Sequence, residues 1–238
     1  MSKERLQKIL AGEGIDSRRK CERMILDGRV EVNGQRFSKL PAFADPDEDE
    51  IKIDGKKLKK TANVYYLLNK PKGVICTNKD PKGRTKAIDL VKSDKHLVCV
   101  GRLDVDTTGL IILTNDKGLV NRLTHPRYGL SKTYIAGVRG RVTGEQVEKL
   151  KKGVWLSEGK TGKCSVKVLR KGNKESILEL KITQGMNRQV RRMIGKVGLD
   201  VKNLKRSKIG KIDDKGIGVG KYRPLSRKEV KYLKKFGS

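Results

Sequence analysis

Along the first sixty residues apolar positions recur at three- and four-residue intervals and then switch to alternation, which predicts two short helices followed by a small sheet. Leu6, Ile9 and Leu10 share one helical face, with Ser2 placed to cap the helix and Gly12 and Gly14 to break it. Ser17 caps a second helix, SRRKCERMILDG, which sets Cys21, Met24 and Ile25 on one face and Arg18, Arg19, Lys20 and Arg23 on the other, with Gly28 as its stop. RVEVNGQ and IKIDGKKL alternate apolar with polar residues, and each carries an Asn-Gly or Asp-Gly turn signal. PAFADPDEDE, acidic and broken by prolines, reads as a loop, and KKLKKTAN (56–63), with no apolar period, as a short charged linker.

Past that linker the period is predominantly two. VYYLLNKPKGVIC, HLVCVGRLD, TTGLIILTND, KTYIAGVRG and SILELKITQ are strand-like, rich in Val, Ile, Leu, Thr and Tyr. KGLVNRLTH, GEQVEKLKKGV and NRQVRRMIGKVG have helical spacing, the last with Val190, Met193, Ile194 and Val197 on its buried face. Strands outnumber helices and come in hairpin-like clusters, so the fold class is α+β with a mainly antiparallel or mixed sheet, divided as residues 1–60 and 61–238. No repeat and no run long enough to span a membrane is present, and MSKERLQKIL lacks the apolar centre of a signal peptide. A soluble, cytoplasmic protein is expected.

Charge narrows the partner. The 238 residues carry 57 Lys and Arg against 27 Asp and Glu, a formal net charge of +30. Such an excess attracts a polyanion, because each neutralised phosphate releases condensed counterions. A lysine-rich surface serving solubility has the same composition, and composition does not separate RNA from DNA or an acidic membrane. The acidic loop is expected to face away from any such partner, and uniform positive charge favours a monomer. Cys21, Cys76, Cys99 and Cys164 are scattered and the only histidines are His96 and His125, which argues against a zinc site and for buried free thiols. GIGVGKY (216–222) lacks the spacing of a phosphate-binding loop, and GxSxG, HExxH and an EF-hand loop are absent, so no metal, nucleotide or other cofactor is implied.

Three stretches could carry chemistry. In GRLDVDTTGLIILTND (101–116) a strand ending at Val100 delivers Arg102, Leu103 and Asp104 to a turn, where Asp104 and Asp106 serve on spacing alone as turn-capping residues. In QGMNRQVRRMIGKVG, Gly185 and Asn187 mark a turn, and Arg188, Arg191 and Arg192 enter the first helical turns, with Arg188 and Arg192 on one face. These arginines fit phosphate contact, with one pairing a carboxylate, and equally a solvated basic face. Tyr134, in LSKTYIAG, is either core or a stacking platform for a base.

Two resemblances order these signals. RLQKILAGEGIDSRRKCERMILDGRVEVNG resembles the domain of ribosomal protein S4, the αL motif, including Gly28, Val30, Val32 and Gly34, and implies binding of structured RNA through the basic helix. LNKPKGV (68–74), VGRLDVDTTGLIILTND, HPRYGLSKTY, QGMNRQVRRM and LKRSKIG resemble, in that order, the RsuA/RluB-type ribosomal pseudouridine synthases, which carry the same N-terminal domain. That resemblance implies isomerisation of uridine to pseudouridine in ribosomal RNA or an assembly intermediate, by base extrusion and without a cofactor. It makes Asp104 the essential aspartate and Asp106 structural. Tyr134 stacks on the target uracil, with a proton on C2′ within its remit, and Arg191 pairs with and orients Asp104. Arg102 fills the space the nucleotide leaves, and Lys70, Arg188, Arg192, Leu204 and Arg206 contact RNA together with Arg18, Arg19, Lys20 and Arg23. DTTGL and HPRY are similar to the large-subunit RluB branch or the small-subunit RsuA branch and QGMNRQ to the RluF branch; together they lean towards large-subunit RNA. A non-catalytic assembly factor on the same fold, or a general DNA-binding protein, are the competing classes.

Overall fold

The computed structural model describes residues 3–59 and 61–236 and divides into two compact units. One runs to Val64 and takes in Asp94–His96 and Asn115–Gly118; the other is built from Tyr65–Ser93, Leu97–Thr114 and the chain from Leu119 onward.

The first unit holds strand β1 (Glu4–Arg5), helices α1 (Leu6–Gly12) and α2 (Arg18–Leu26), and strands β2 (Val30–Val32), β3 (Gln35–Phe37), β4 (Phe43–Ala44), β5 (Ile51–Ile53) and β6 (Lys56–Lys57). Leu6, Leu10, Cys21, Ile25 and Val30 are fully buried in its core, which accounts for the helical spacing of the apolar residues. Ser17 caps α2 as expected, accepting from the Lys20 amide at 3.4 Å. Arg18, Arg19, Lys20 and Arg23 are all exposed on that helix, although Lys20 is paired with Asp16 at 3.0 Å. Both turn signals are real: Asn33-Gly34 and Asp54-Gly55 have positive φ throughout and join β2 to β3 and β5 to β6 in the antiparallel order β3-β2-β5-β6.

Three expectations for this unit change. The cap assigned to Ser2 lies outside the described residues, and α1 starts only at Leu6 because Glu4 and Arg5 are extended and pair with Ala44 and Phe43. The same pairing makes a strand out of part of the acidic loop. The supposed linker begins as β6 and is then tied down: the Leu58 amide donates to Ile51 at 2.8 Å and the Thr61 amide to Glu13 at 2.8 Å.

The second unit contains strands β7 (Tyr65–Lys70), β8 (Val98–Cys99) and β9 (Thr108–Thr114), helix α3 (Lys117–Thr124), strand β10 (Lys132–Arg139), and helix α4 (Gly144–Lys152). The chain continues through β11 (Trp155–Leu156), β12 (Gly159–Lys160), β13 (Ser165–Arg170), β14 (Glu175–Ile182), helix α5 (Gln189–Lys196), β15 (Val201–Ile209), β16 (Ile212–Asp213), β17 (Tyr222–Pro224) and helix α6 (Arg227–Lys234). Nine strands form one mixed sheet in the order β13-β14-β10-β15-β9-β7-β17, with β16 added to β15 and β8 to β9. The fold is therefore α+β, and every pairing in this sheet is antiparallel except β9 with β15.

That parallel seam explains one glycine. Gly109 sits at φ +103° opposite Arg206, and a β-carbon there would overlap the Arg206 carbonyl oxygen and lie 2.7 Å from its amide nitrogen. Leu67, Leu110, Ile112, Leu119 and Leu123 from β7, β9 and α3 pack with Ile209 and Leu233 in a core on which α6 also rests. The helix expected over NRQVRRMIGKVG is α5, with Val190, Met193 and Ile194 buried and Val197 half-buried at its end. No helix among the described residues is long and apolar enough to cross a membrane.

Candidate active site

A pocket of about 440 Å³ is lined by β10 and β15, the ends of α3 and β14, the start of α5 and the segments that connect to them. Successive strand residues alternate faces, so Lys132 and Tyr134 on β10 and Leu204 and Arg206 on β15 point to the same side. The turn after β8 adds Arg102, Leu103 and Asp104, and the segment between β14 and α5 adds Met186, Asn187 and Arg188. Asp104 is the only carboxylate and Tyr134 the only aromatic ring among the described lining residues.

The Asp104 turn is held from several sides. Gly101 enters it at φ +72° and the Thr107 amide closes it onto the Asp104 carbonyl at 3.1 Å. The Gly73 amide donates to the Val105 carbonyl at 2.8 Å, and the Leu103 amide to Cys76 Sγ at 3.4 Å. Lys70 is fully buried behind this turn, with its Nζ donating to the Pro71 and Val74 carbonyls at 2.9 and 2.8 Å. The expectation that Lys70 touches RNA is thus corrected: its ammonium staples the loop that braces Asp104. Burial lowers its pKa, opposed by Cys76, Asp106 and Asp104 nearby.

The arginines divide their work differently from the expected pattern. Arg188 is not helical; it is the residue before α5, in the left-handed conformation at φ 45°, and so does not share a helix face with Arg192. From there its guanidinium lies 3.5 Å from Asp104 and 3.3 Å from Asp106. Arg191, inside the helix, reaches past Asp104 to the Asp106 carboxylate at 3.1 Å and the Asp106 carbonyl at 3.2 Å. The expected Arg191–Asp104 pair is replaced by an Arg191–Asp106 pair, with Arg188 bridging to both acids. Partial burial would raise the Asp106 pKa, but the Arg188 hydrogen bond and the charges of Arg191 and Arg188 outweigh it and hold the carboxyl below its usual value. Arg192 is outside the pocket, donating to Glu158 at 2.6 and 2.7 Å and to Ser157 Oγ at 2.7 Å, so its charge is already committed to the β11–β12 turn.

Tyr134, 9% exposed, presents its ring to the pocket between Leu180 on β14 and Arg206 on β15. Arg206 is buried, its Nε donating to the Leu110 carbonyl at 2.6 Å while Nη2 has no partner. A buried donor without an acceptor is costly, which suits Nη2 to a carbonyl or phosphate oxygen of a ligand. Arg102 is exposed at the rim and Leu204 contributes apolar wall. Arg18, Arg19, Lys20 and Arg23 belong to the first unit.

Sequence reasoning missed two groups. Lys132 lines the pocket, donates to the Thr183 carbonyl at 3.3 Å, and is pushed down to about 8 by burial and the Arg206 charge; its signal was the two-residue spacing to Tyr134 on one strand face. Cys76 also faces the pocket, its thiol pKa lowered by a hydrogen bond with Cys99, the Leu103 amide and the charges of Lys70 and Arg206. All four thiols are free, but only Cys21 is buried; the other three are half-buried. No group of His, Cys, Asp and Glu among the described residues could hold a metal ion.

A first unit with a basic helix, joined to a mixed-sheet unit with one carboxylate and one aromatic ring among the described residues of its pocket, matches two family models, the S4 domain over residues 4–39 and RNA pseudouridylate synthase over residues 64–196. The chain belongs to the RNA pseudouridylate synthase family. It is 42% identical over 234 residues to ribosomal large subunit pseudouridine synthase B of Bacillus subtilis, covering 97% of this chain and 96% of that one. The protein of the same name from Pseudomonas aeruginosa is 36% identical over 239 residues, 97% of this chain and 61% of the relative. A crystal structure of a pseudouridylate synthase superposes with a TM-score of 0.70 at 30% identity, over 96% of this chain and 99% of that one.

Proposed function

We propose that this enzyme isomerises a uridine of large-subunit ribosomal RNA, with Asp104 as the reacting carboxylate. The observation that carries the assignment is the pocket itself, in which Asp104 is the sole acid and faces a space shared with Tyr134. The name of the Bacillus subtilis relative, matched almost end to end, supports the choice of RNA. Reaching the glycosidic bond requires the nucleotide to leave its stack, at a cost of a few kcal/mol that is least in loops and bulges. Exposed Arg102 is placed at the rim to occupy the space left behind, and Arg18, Arg19 and Arg23 offer phosphate contacts on α2.

Within the pocket the C1′–N1 bond breaks, the uracil turns, and a C1′–C5 bond forms. The C5 proton departs and N1 gains one, so substrate and product are isomers. Asp104 assists the departure of N1 from C1′, the Tyr134 ring stacks on the base, and Arg206 Nη2 donates to a base carbonyl. Arg191 is a positioning residue that acts through Asp106 on the turn bearing Asp104.

The test is pseudouridine mapping by reverse-transcription stops at carbodiimide adducts on large- and small-subunit RNA from cells lacking the gene, after treatment with purified protein. Modification of a single large-subunit position is expected, with Asp104→Asn slower by about a thousand-fold, within the usual range for removing an acid–base or nucleophilic group. Unmodified RNA refutes the enzyme reading, modification of small-subunit RNA refutes the substrate, and an active Asn variant refutes the role of Asp104.

A further inference from the structure

The chain has a single tryptophan, and it is not in a core: Trp155 is 69% exposed. Tryptophan is usually among the most buried side chains, and a lone exposed one on a mobile loop would carry little meaning. Trp155 instead stands on a hairpin, β11–β12, that is fastened on every side. The Val154 amide donates to Thr161 Oγ1 and the Thr161 amide to the Val154 carbonyl, both at 2.9 Å. The neighbouring Leu156 and Thr161 are buried, and at Gly153, φ +82°, a β-carbon would overlap the Thr161 carbonyl oxygen. The turn of the hairpin is clamped by Arg192 of α5 through Ser157 and Glu158. Beyond the hairpin the Gly162 amide donates to Gln184 Oε1 at 2.8 Å, and Gln184 in turn accepts from pocket-lining Gln189 at 3.3 Å. The exposed ring is therefore coupled rigidly to the helix and segment that carry Arg188 beside Asp104.

The unpaired charges of the hairpin and its flanks are lysines. Lys160 is the residue directly opposite Trp155 in the antiparallel pair, so both side chains leave the same face of the hairpin. Lys152 and Lys163, a few residues to either side, are exposed as well. The one acid of the hairpin, Glu158, is neutralised by Arg192. An aromatic face among lysines matches a nucleic-acid strand, whose bases stack on the ring while its phosphates meet the cations.

We infer that Trp155 is a base-stacking platform for a nucleotide of the substrate RNA outside the catalytic pocket, with Lys160 contacting the adjoining phosphate. The inference rests on the reading of RNA as substrate, and adds a second point of attachment that fixes which way the strand runs across the site.

Trp155 is its own reporter, since no other tryptophan contributes to the emission. Titrating the purified protein with a ribosomal RNA fragment that contains the uridine found by the mapping above should quench that emission along the same isotherm as the anisotropy of the end-labelled fragment. Trp155→Ala, whose exposed position leaves folding undisturbed, should bind the fragment about ten-fold more weakly and raise KM by the same factor; Trp155→Phe, which keeps a ring, should recover most of the loss. Emission that stays constant while the anisotropy reports binding, or an alanine variant with wild-type affinity, overturns the platform and leaves the enzyme assignment standing. Emission that ignores RNA but changes with RNA-free ribosomal proteins gives the face to a protein partner and also overturns it. Wild-type protein that neither binds nor modifies the RNA overturns both.

Discussion

Arg191 is coupled to Asp106 rather than to Asp104, and a pair of double-mutant cycles distinguishes the two arrangements. Arg191 is 13% exposed at its side chain, and its buried Nε has no partner, so the Asp106 carboxylate at 3.1 Å and the Asp106 carbonyl are what compensate its charge. Exposed ion pairs are worth about 0.2–1 kcal/mol and breaking a fully buried one costs about 3–5. With Asp106 33% exposed, the pair falls between these limits, and a coupling of about 1–3 kcal/mol is expected for Asp106→Asn combined with Arg191→Met. Asp104 approaches only Arg188, at 3.5 Å and with both side chains about one-third exposed or more, so the Asp104→Asn and Arg191→Met cycle should give close to zero. Urea denaturation of the single and double variants supplies the four free energies of each cycle. Activity supplies an independent reading: Asp106→Asn should lower kcat in part through a loosened turn, whereas Asp104→Asn should lower it by about a thousand-fold with stability intact. A large coupling between Arg191 and Asp104, or none with Asp106, refutes the assignment of these charges.

Three further outcomes are expected. The Lys132 ammonium, with its pKa near 8, is roughly nine-tenths charged at pH 7 and one-tenth at pH 9, so RNA affinity should weaken up to about ten-fold across that range, and Lys132→Met should flatten the profile. Because its folded value lies below the ordinary lysine value, burying the charge costs stability at low pH, and that cost should fade in urea titrations as pH rises from about 8. Gly109→Ala should lose about 3 kcal/mol or more in urea denaturation, since neither its φ nor the Arg206 backbone can yield cheaply. Arg19→Ala and Arg23→Ala should lower RNA affinity and reduce the slope of log affinity against log salt by roughly 0.7–0.9 for each phosphate no longer neutralised, read by anisotropy at several salt concentrations.

What could be read from the amino acids alone was whatever is encoded locally. The Asn-Gly and Asp-Gly turns, the Ser17 cap and the buried face of α5 depend on residues a few positions apart, and each is where spacing placed it. β15 was not foreseen although it pairs with β10 and β9 in the middle of the sheet, because VKNLKRSKI gives an inward position to Arg206, which turns into the pocket instead of the core. Lys70 misled for the complementary reason: a lysine reads as surface, whereas this one is satisfied by two carbonyls of its own loop. The choice of partner among Asp104, Asp106 and the three arginines turned on the left-handed φ of Arg188, a backbone property that spacing along a regular helix does not convey. Arg102, Asp104, Tyr134, Arg188, Leu204 and Arg206 were legible as residues that could meet; Lys132, Cys76 and the ion pairing of the two acids were not.

The parallel seam between β9 and β15 has a consequence in time. It joins Thr108–Thr114 to Val201–Ile209, and non-local pairings of this kind form late, after the entropy of closing the intervening chain has been met. Asp104 leaves the ribosome before Arg206 does by roughly five to twenty seconds at ordinary rates of elongation, and Tyr134 by roughly four to fourteen. Throughout that interval the nascent chain carries Asp104 on a turn that lacks the Arg206 wall of its pocket. The basic helix α2, which precedes Asp104 along the chain, emerges sooner still. Capture of RNA and competence to modify it are therefore acquired in sequence during synthesis, and the second waits for the strand that closes the sheet.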